Sequence, residues 1–194
     1  LAYLGVMFVV VMTQSASVTF GALVGSGKVL AARPLSPYLF SAAQSPGGRV
    51  LALGLSVGRV EVWDLALPGK RREVRVPGGP VYALAFSPDG RYLAVGSADG
   101  GVRLLDLLAP GGPEPRLLYA HKDLPLGLAF SPDGRYLASG GQDREVRLYD
   151  LDAGLLERVY VGHTGAVYGL DFNPQTPALA TGGGEGRVLL FRLP

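Results

Sequence analysis

Leu84-Ala85-Phe86-Ser87-Pro88-Asp89-Gly90-Arg91-Tyr92-Leu93-Ala94 returns, almost letter for letter, as Leu128 to Ala138, 44 residues later. A weaker copy, Leu170-Asp171-Phe172-Asn173-Pro174, follows 42 residues after the second, and an eroded one, Ser45-Pro46-Gly47-Gly48-Arg49-Val50-Leu51-Ala52, precedes the first by 42. A second marker keeps step: Trp63-Asp64, Leu105-Asp106, Tyr149-Asp150 and Phe191-Arg192 are spaced 42, 44 and 42 apart. Self-similarity at this period means one supersecondary unit stacked on copies of itself, since a lone unit cannot bury its apolar face. The period says how a surface is presented and much less about what the surface holds.

The 194 residues suffice for one domain with an ample core. Hydrophobic content is 48%, and 29 Gly with 15 Pro imply many tight turns. Long helical patterns are absent. The apolar runs are short, rich in Val, Leu and Tyr, and bounded by Gly, Pro or Asp, which predicts an all-β protein. Net charge is only +2, and the basic residues, 15 Arg and 3 Lys, form no concentrated stripe, so no nucleic-acid partner is expected. With no cysteine, the chain has no disulfide, thiolate zinc site or cysteine nucleophile. The excess of Arg over Lys and the Gly, Ala, Pro and Leu content resemble a GC-rich bacterial genome.

The first 27 residues carry no charge. Leu4 to Met12 is a compact apolar run followed by Thr13-Gln14-Ser15-Ala16-Ser17, the layout of an apolar region and small-residue cleavage site. It is too short to span a bilayer, which takes roughly 20 residues. Residues 1–17 therefore read either as a signal or anchor, which would place the protein outside the cytoplasm, or as a buried strand, since Val6 to Val11 is also good strand sequence.

The cleanest unit spans residues 120 to 161. Leu126 to Phe130 reads as a first strand ending in Ser131-Pro132-Asp133-Gly134, a turn in which Pro fixes φ and Gly accepts a positive one. Tyr136 to Gly140 forms the second strand, and Gly141-Gln142-Asp143-Arg144 turns the chain again. Glu145 to Asp150 alternates polar and apolar, as a half-exposed third strand does. Leu156 to Val161 is the fourth. Each unit is thus a four-stranded antiparallel meander.

Gly162-His163 before a first strand, the Ser-Pro-Asp-Gly hairpin and the aromatic-Asp pair closing the third strand together resemble the WD-repeat (WD40) β-propeller family, over about residues 36 to 194. The resemblance implies a hydrogen-bond chain linking a His, an Asp in the second turn, a Ser or Thr on the second strand and a Trp. The third repeat supplies His121, Asp143 and Ser139, with Tyr149 in place of Trp. The fourth supplies His163 and Thr181, with Glu185 for Asp and Phe191 for Trp, and Phe cannot donate a hydrogen bond. The first keeps Trp63 but has Leu53 and Val57 where partners belong. The second keeps Asp99 and lacks the His.

Four blades are expected, at about 37–76, 81–119, 125–161 and 167–193, the last without a fourth strand. Residues 18–35 supply lead-in strands suited to closing a blade. A family ring generally has more blades, so three arrangements stand open: a part of a longer propeller, a ring completed by a second copy, or a small ring closed alone. Open sheet edges also favour self-association.

Catalytic chemistry is hard to find. Gly25-Ser26-Gly27-Lys28 fails as a phosphate loop, with Ala22 at the leading glycine and Val29 at the Mg²⁺-binding position. Gly182 to Gly186 does not spell the dinucleotide fingerprint. Asp150 and Asp152 are too few oxygen ligands for calcium. His121 and His163 share one repeat position, so both read as structural, and no Gly-x-Ser-x-Gly elbow occurs. No catalytic residue, cofactor or metal is assigned. Lys70-Arg71-Arg72 with Arg75 is the one basic cluster, read as a solvated edge.

The resemblance implies an interaction platform whose partner, a protein or peptide, sits on the loop face around the channel. That face is expected to hold Tyr82, Asp99, His121, Lys122, Asp123, Arg144, Thr164, Tyr168 and Glu185. Tyr82, Arg144 and Tyr168 are of the types enriched at hot spots, although the tyrosines equally suit packing between blades. The alternative is an accessory or substrate-recognition domain of a larger enzyme or signalling protein.

Overall fold

A computed structural model describes residues 18–24, 28–35, 38–67 and 70–194. The reading of residues 1–17 as signal or strand lies outside the described residues. The chain divides into two units, 1–39 and 40–194. In the first, β1 (Val18–Val24) and β2 (Lys28–Leu35) pair antiparallel, Val18 opposite Leu35 and Val24 opposite Lys28.

The remainder is all strand and turn, in four antiparallel sheets. Their strands are β3 (Leu39–Gln44), β4 (Val50–Leu55), β5 (Arg59–Asp64) and β6 (Arg71–Arg75); then β7 (Val81–Phe86), β8 (Tyr92–Ser97), β9 (Gly101–Asp106) and β10 (Arg116–Ala120). The third sheet holds β11 (Pro125–Phe130), β12 (Tyr136–Gly141), β13 (Val146–Asp150) and β14 (Leu155–Tyr160), and the fourth holds β15 (Val167–Phe172), β16 (Ala178–Gly183) and β17 (Val188–Arg192). Every sheet is a simple meander, and the fourth has three strands.

The two sequence markers meet in the first three blades. In the first hairpin turn of the third blade, Ser131 Oγ donates to Asp133 at 2.5 Å and accepts the Tyr136 amide at 2.8 Å, while Arg135 N–H reaches Asp133 at 3.0 Å. The arginine after that turn pairs with the aspartate ending the third strand: Arg49 with Asp64 at 3.1 Å, Arg91 with Asp106 at 2.7 Å, Arg135 with Asp150 at 2.8 Å. Asp150 also accepts the Asp152 and Ala153 amides, which occupies the oxygens that resembled a calcium ligand.

Burial follows the stacking. One apolar core lies at each blade interface: Ala52, Val60, Val81 and Leu93 between the first and second, Ala94, Val102, Phe130 and Leu137 between the second and third, Ala138, Val146, Val167 and Leu179 between the third and fourth. A fully buried Val or Leu contributes roughly 1.5–3 kcal/mol, so these three layers hold the arc together. Strand β4 packs on β7, β7 and β8 on β11, and β11 and β12 on β15. Among the described residues no comparable packing joins the fourth sheet to the first, and the ring is open.

The third strand corrects the expectation of half exposure. All five residues of β13 are buried, Arg147 included, because sheets cover both faces. The Arg147 charge is met by Glu145 at 2.7 Å and Asp143 at 3.6 Å, and its guanidinium also donates to the Ala120 carbonyl.

Candidate functional site

The loop face rests on polar clusters, one per blade. In the third, His121 Nδ1 lies 2.9 Å from Asp143 and Nε2 lies 2.6 Å from Ser139 Oγ. A carboxylate only accepts, so Nδ1 carries the proton and Nε2 accepts from the Ser139 hydroxyl. Ser139 in turn accepts from the Tyr119 hydroxyl at 2.9 Å. Burial holds the His121 pKa below the usual imidazole value, against the opposing hydrogen bond to Asp143, so the ring is neutral at pH 7. Burial likewise raises the Tyr119 phenol, which remains a donor throughout the useful pH range.

Tyr119 takes the place expected of Tyr149. Ser139 stands across the strand pair from Arg147, and Tyr149 one alternate step further on, opposite Leu137. Tyr149 therefore stacks on the Tyr119 ring at 5.4 Å and makes no hydrogen bond among the described residues. The donor arrives from the outer strand of the preceding blade, two residues before His121.

The fourth blade repeats half of this. His163 Nδ1 is 2.5 Å from Glu185, and Nε2 accepts from Thr181 Oγ1 at 2.7 Å. The repeat position of Tyr119 is Val161, which has no hydroxyl, so the chain stops at Thr181. Phe191 meets the Tyr160 ring at 4.6 Å in a tilted arrangement. In the second blade Arg103 replaces the missing imidazole, donating to Ser97 at 2.5 Å and to Asp99 at 3.0 and 2.6 Å. Those hydrogen bonds hold the Asp99 carboxyl well below the ordinary range, and its second expected role, on the partner face, competes with them. In the first blade the Trp63 indole donates to Glu61 at 2.8 Å.

Glu61, Arg103 and Arg147 occupy one repeat position and are 6%, 7% and 9% exposed. They were missed as site residues. The signal was present, a charge between two apolar residues in the third strand (Val60-Glu61-Val62, Val102-Arg103-Leu104, Val146-Arg147-Leu148), but alternation alone assigns such a charge to solvent.

Above these clusters the expected face separates into fixed and free groups. Lys122 pairs with Glu145 at 2.9 Å and gives its amide to Asp143 at 3.0 Å. Asp123 caps the Leu124 amide at 2.8 Å, and Glu185 accepts the Gly165 amide at 3.0 Å. Thr164 is exposed, as is Tyr168 at 62%. Tyr82 is half-buried and meets Phe40 of the preceding blade at 5.0 Å, which favours its packing role. Arg144 is exposed and makes no ion pair among the described residues.

Arg144 also stands apart in its backbone. Its φ is +67°, the only positive φ of a described non-glycine residue, while the same turn position elsewhere is Gly58 at +67°, Gly100 at +83° and Gly186 at +78°. Sterics explain two of the glycines. A Cβ on Gly58 would lie 2.8 Å from the Val76 carbonyl oxygen, and on Gly100 it would strike that of His121, whereas Gly186 is open. In the basic cluster, Arg71 pairs with Glu73 at 3.6 Å and with Glu61 at 3.7 Å, and Arg72 reaches the Leu107 carbonyl at 3.5 Å. Among the described residues no group of His, Asp and Glu could hold a metal.

The chain belongs to the WD-repeat family: the WD domain, G-beta repeat pattern matches residues 71–106, 112–150 and 154–192, more than half its length. Propellers of this family are generally non-catalytic. A chain in the "Crystal Structure of Mitotic Checkpoint Complex" is similar, with a TM-score of 0.79 and 28% identity over 91% of this chain and 55% of that one. This chain thus spans about half of that relative's length. No curated protein matches the sequence. With 1547 solved chains matching, the fold by itself selects no function.

Proposed function

We propose that the chain is a non-catalytic interaction scaffold holding a protein or peptide partner on its loop face, with Arg144, Lys122, Thr164 and Tyr168 in contact. The observation that carries this is Arg144. A non-glycine residue in the left-handed region costs about 1–2 kcal/mol, and three sister turns avoid that cost with glycine. A strained, exposed arginine without a carboxylate partner among the described residues, seated beside the buried His121–Asp143 pair, is a group held ready for an acidic or carbonyl-rich surface. Membership in a family of interaction platforms and the relative found in a multi-protein complex support the same reading. Asp99 and Glu185 serve chiefly to fix the turns.

The test is Arg144→Gly beside Tyr168→Ala, with Val159→Ala on an outer strand as control. Each variant is used to recover cross-linked partners from its source. The expected result is loss of the same partner from both loop-face variants, with Arg144→Gly as stable as the parent or more so. Unchanged recovery by Arg144→Gly would sink the reading.

A further inference from the structure

The basic cluster Lys70-Arg71-Arg72 borders a cavity of about 330 Å³ between the first and second blades, with Val50, Val62, Leu107 and Pro113 in its lining. Val50 pairs there with Asp64, at the end of the blade opposite the turn that joins Leu55 to Arg59. The repeat explains the space. Arg49-Val50-Leu51-Ala52 aligns with Arg91-Tyr92-Leu93-Ala94 and Arg135-Tyr136-Leu137-Ala138, so valine stands where the next two blades carry tyrosine. Tyr92 packs with Leu151 on the core between the second and third blades, and Tyr136 packs with Leu193 on the next. Each ring also lies beneath the arginine before it, 5.0 Å from Arg91 and 4.9 Å from Arg135. The first interface keeps the leucine, as Leu107, and lacks the ring.

The rim of this slot is cationic. Arg49 is paired with Asp64 at 3.1 Å, and Arg71 with Glu73 and Glu61 at 3.6 and 3.7 Å. Lys70 and Arg72 are exposed and form no ion pair among the described residues, Arg72 donating to the Leu107 carbonyl at 3.5 Å. Leu108 beside them is 74% exposed. We infer that the slot docks a partner peptide that inserts an aromatic side chain between Val50 and Leu107 and lays acidic residues against Lys70 and Arg72. An aromatic anchor in an apolar pocket, with charge at its edge, is where interface energy concentrates. The chain's own leading segment does not supply the acids, because its first 27 residues carry no charge. The slot shares no residue with the proposed loop-face site, so the two stand or fall separately.

The probe is a fluorescent peptide, one phenylalanine between two short acidic runs, titrated against the full chain by anisotropy. Val50→Tyr restores the residue that two sister blades carry and fills the slot, so the variant should fold as well as the parent. Should it not, Lys70→Glu with Arg72→Glu, both on exposed side chains, reverses the rim charge instead. Either change, or alanine at the centre of the peptide, is expected to weaken binding about tenfold or more. Arg144→Gly should leave this binding untouched. Affinity unaltered by Val50→Tyr, equal binding of the alanine peptide, or no binding up to about 1 mM overturns the proposal. So does a concentration-dependent dimer in sedimentation that Val50→Tyr abolishes, which would give the slot to a second copy.

Discussion

Alanine at Gly140 and at Gly182 makes the same chemical change at the same place in the repeat, with opposite expected signs. At Gly140 the new methyl would lie 2.5 Å from Val167 Cγ1, 2.9 Å from its Cβ and 3.0 Å from Leu170 Cδ2. Relief requires moving a strand whose Val167 is 0% exposed. Overpacking of this kind costs about 1–3 kcal/mol, offset by about 0.4–1 kcal/mol from the lower entropy of the unfolded chain. The net expectation for Gly140→Ala is a loss of roughly 1–2 kcal/mol, or a Tm lower by about 2–8 °C for a chain of this size. At Gly182 nothing lies nearer than 4.0 Å, so only the entropic gain of about 0.5 kcal/mol remains. Urea unfolding of both variants at constant m reads the difference directly. Equal destabilisation by the two substitutions would refute the reasoning from these contacts.

Tyr119→Phe removes one neutral hydrogen bond and should cost about 1 kcal/mol in urea unfolding, whereas deleting the Tyr149 hydroxyl should cost nothing measurable. Asp99→Ala strands the buried Arg103 guanidinium and is expected to cost about 2–3 kcal/mol by the same assay; a value within 0.5 kcal/mol of zero would mean that water replaces the carboxylate. The His121 pKa is lower folded than unfolded, so between the folded value and about 6.5 the unfolded chain binds more protons. Stability should therefore fall as pH drops through about 6.5, a slope that His121→Asn flattens. Further acid removes the contribution of Asp89, Asp99 and Asp133, whose carboxyls are held below their ordinary values, as pH falls through and below about 4.

Much of the fold was legible because it rests on local rules. The Ser-Pro-Asp-Gly turns, the short apolar runs and the 42- and 44-residue spacings each report a contact that one repeat makes with itself, or makes again at every interface. The His121–Asp143 and His163–Glu185 pairs were legible for the same reason. The Tyr119 donor was not, since it comes from the preceding blade and nothing in the third repeat names it. Arg103 was missed because it answers a vacancy: with Pro77 where the next blades have His121 and His163, a third-strand arginine turns inward to meet Asp99. Arg144 was readable as a residue type on a turn. Its strain follows only from φ at a position where Gly58, Gly100 and Gly186 set the standard.

By itself the sequence determined an all-β repeat, its period, its hairpin chemistry and the absence of a recognisable catalytic motif, because turn preference and strand alternation act over a few residues. Tertiary structure decided which charges are buried, since an alternating third strand looks half-exposed until sheets cover both its faces. It also decided that Tyr82 packs against Phe40 while Tyr168 faces solvent, and that Val81, Pro125 and Val167 close over Gly54, Gly96 and Gly140. Burial and vacancy belong to neighbouring blades, and no single repeat encodes what its neighbour places against it.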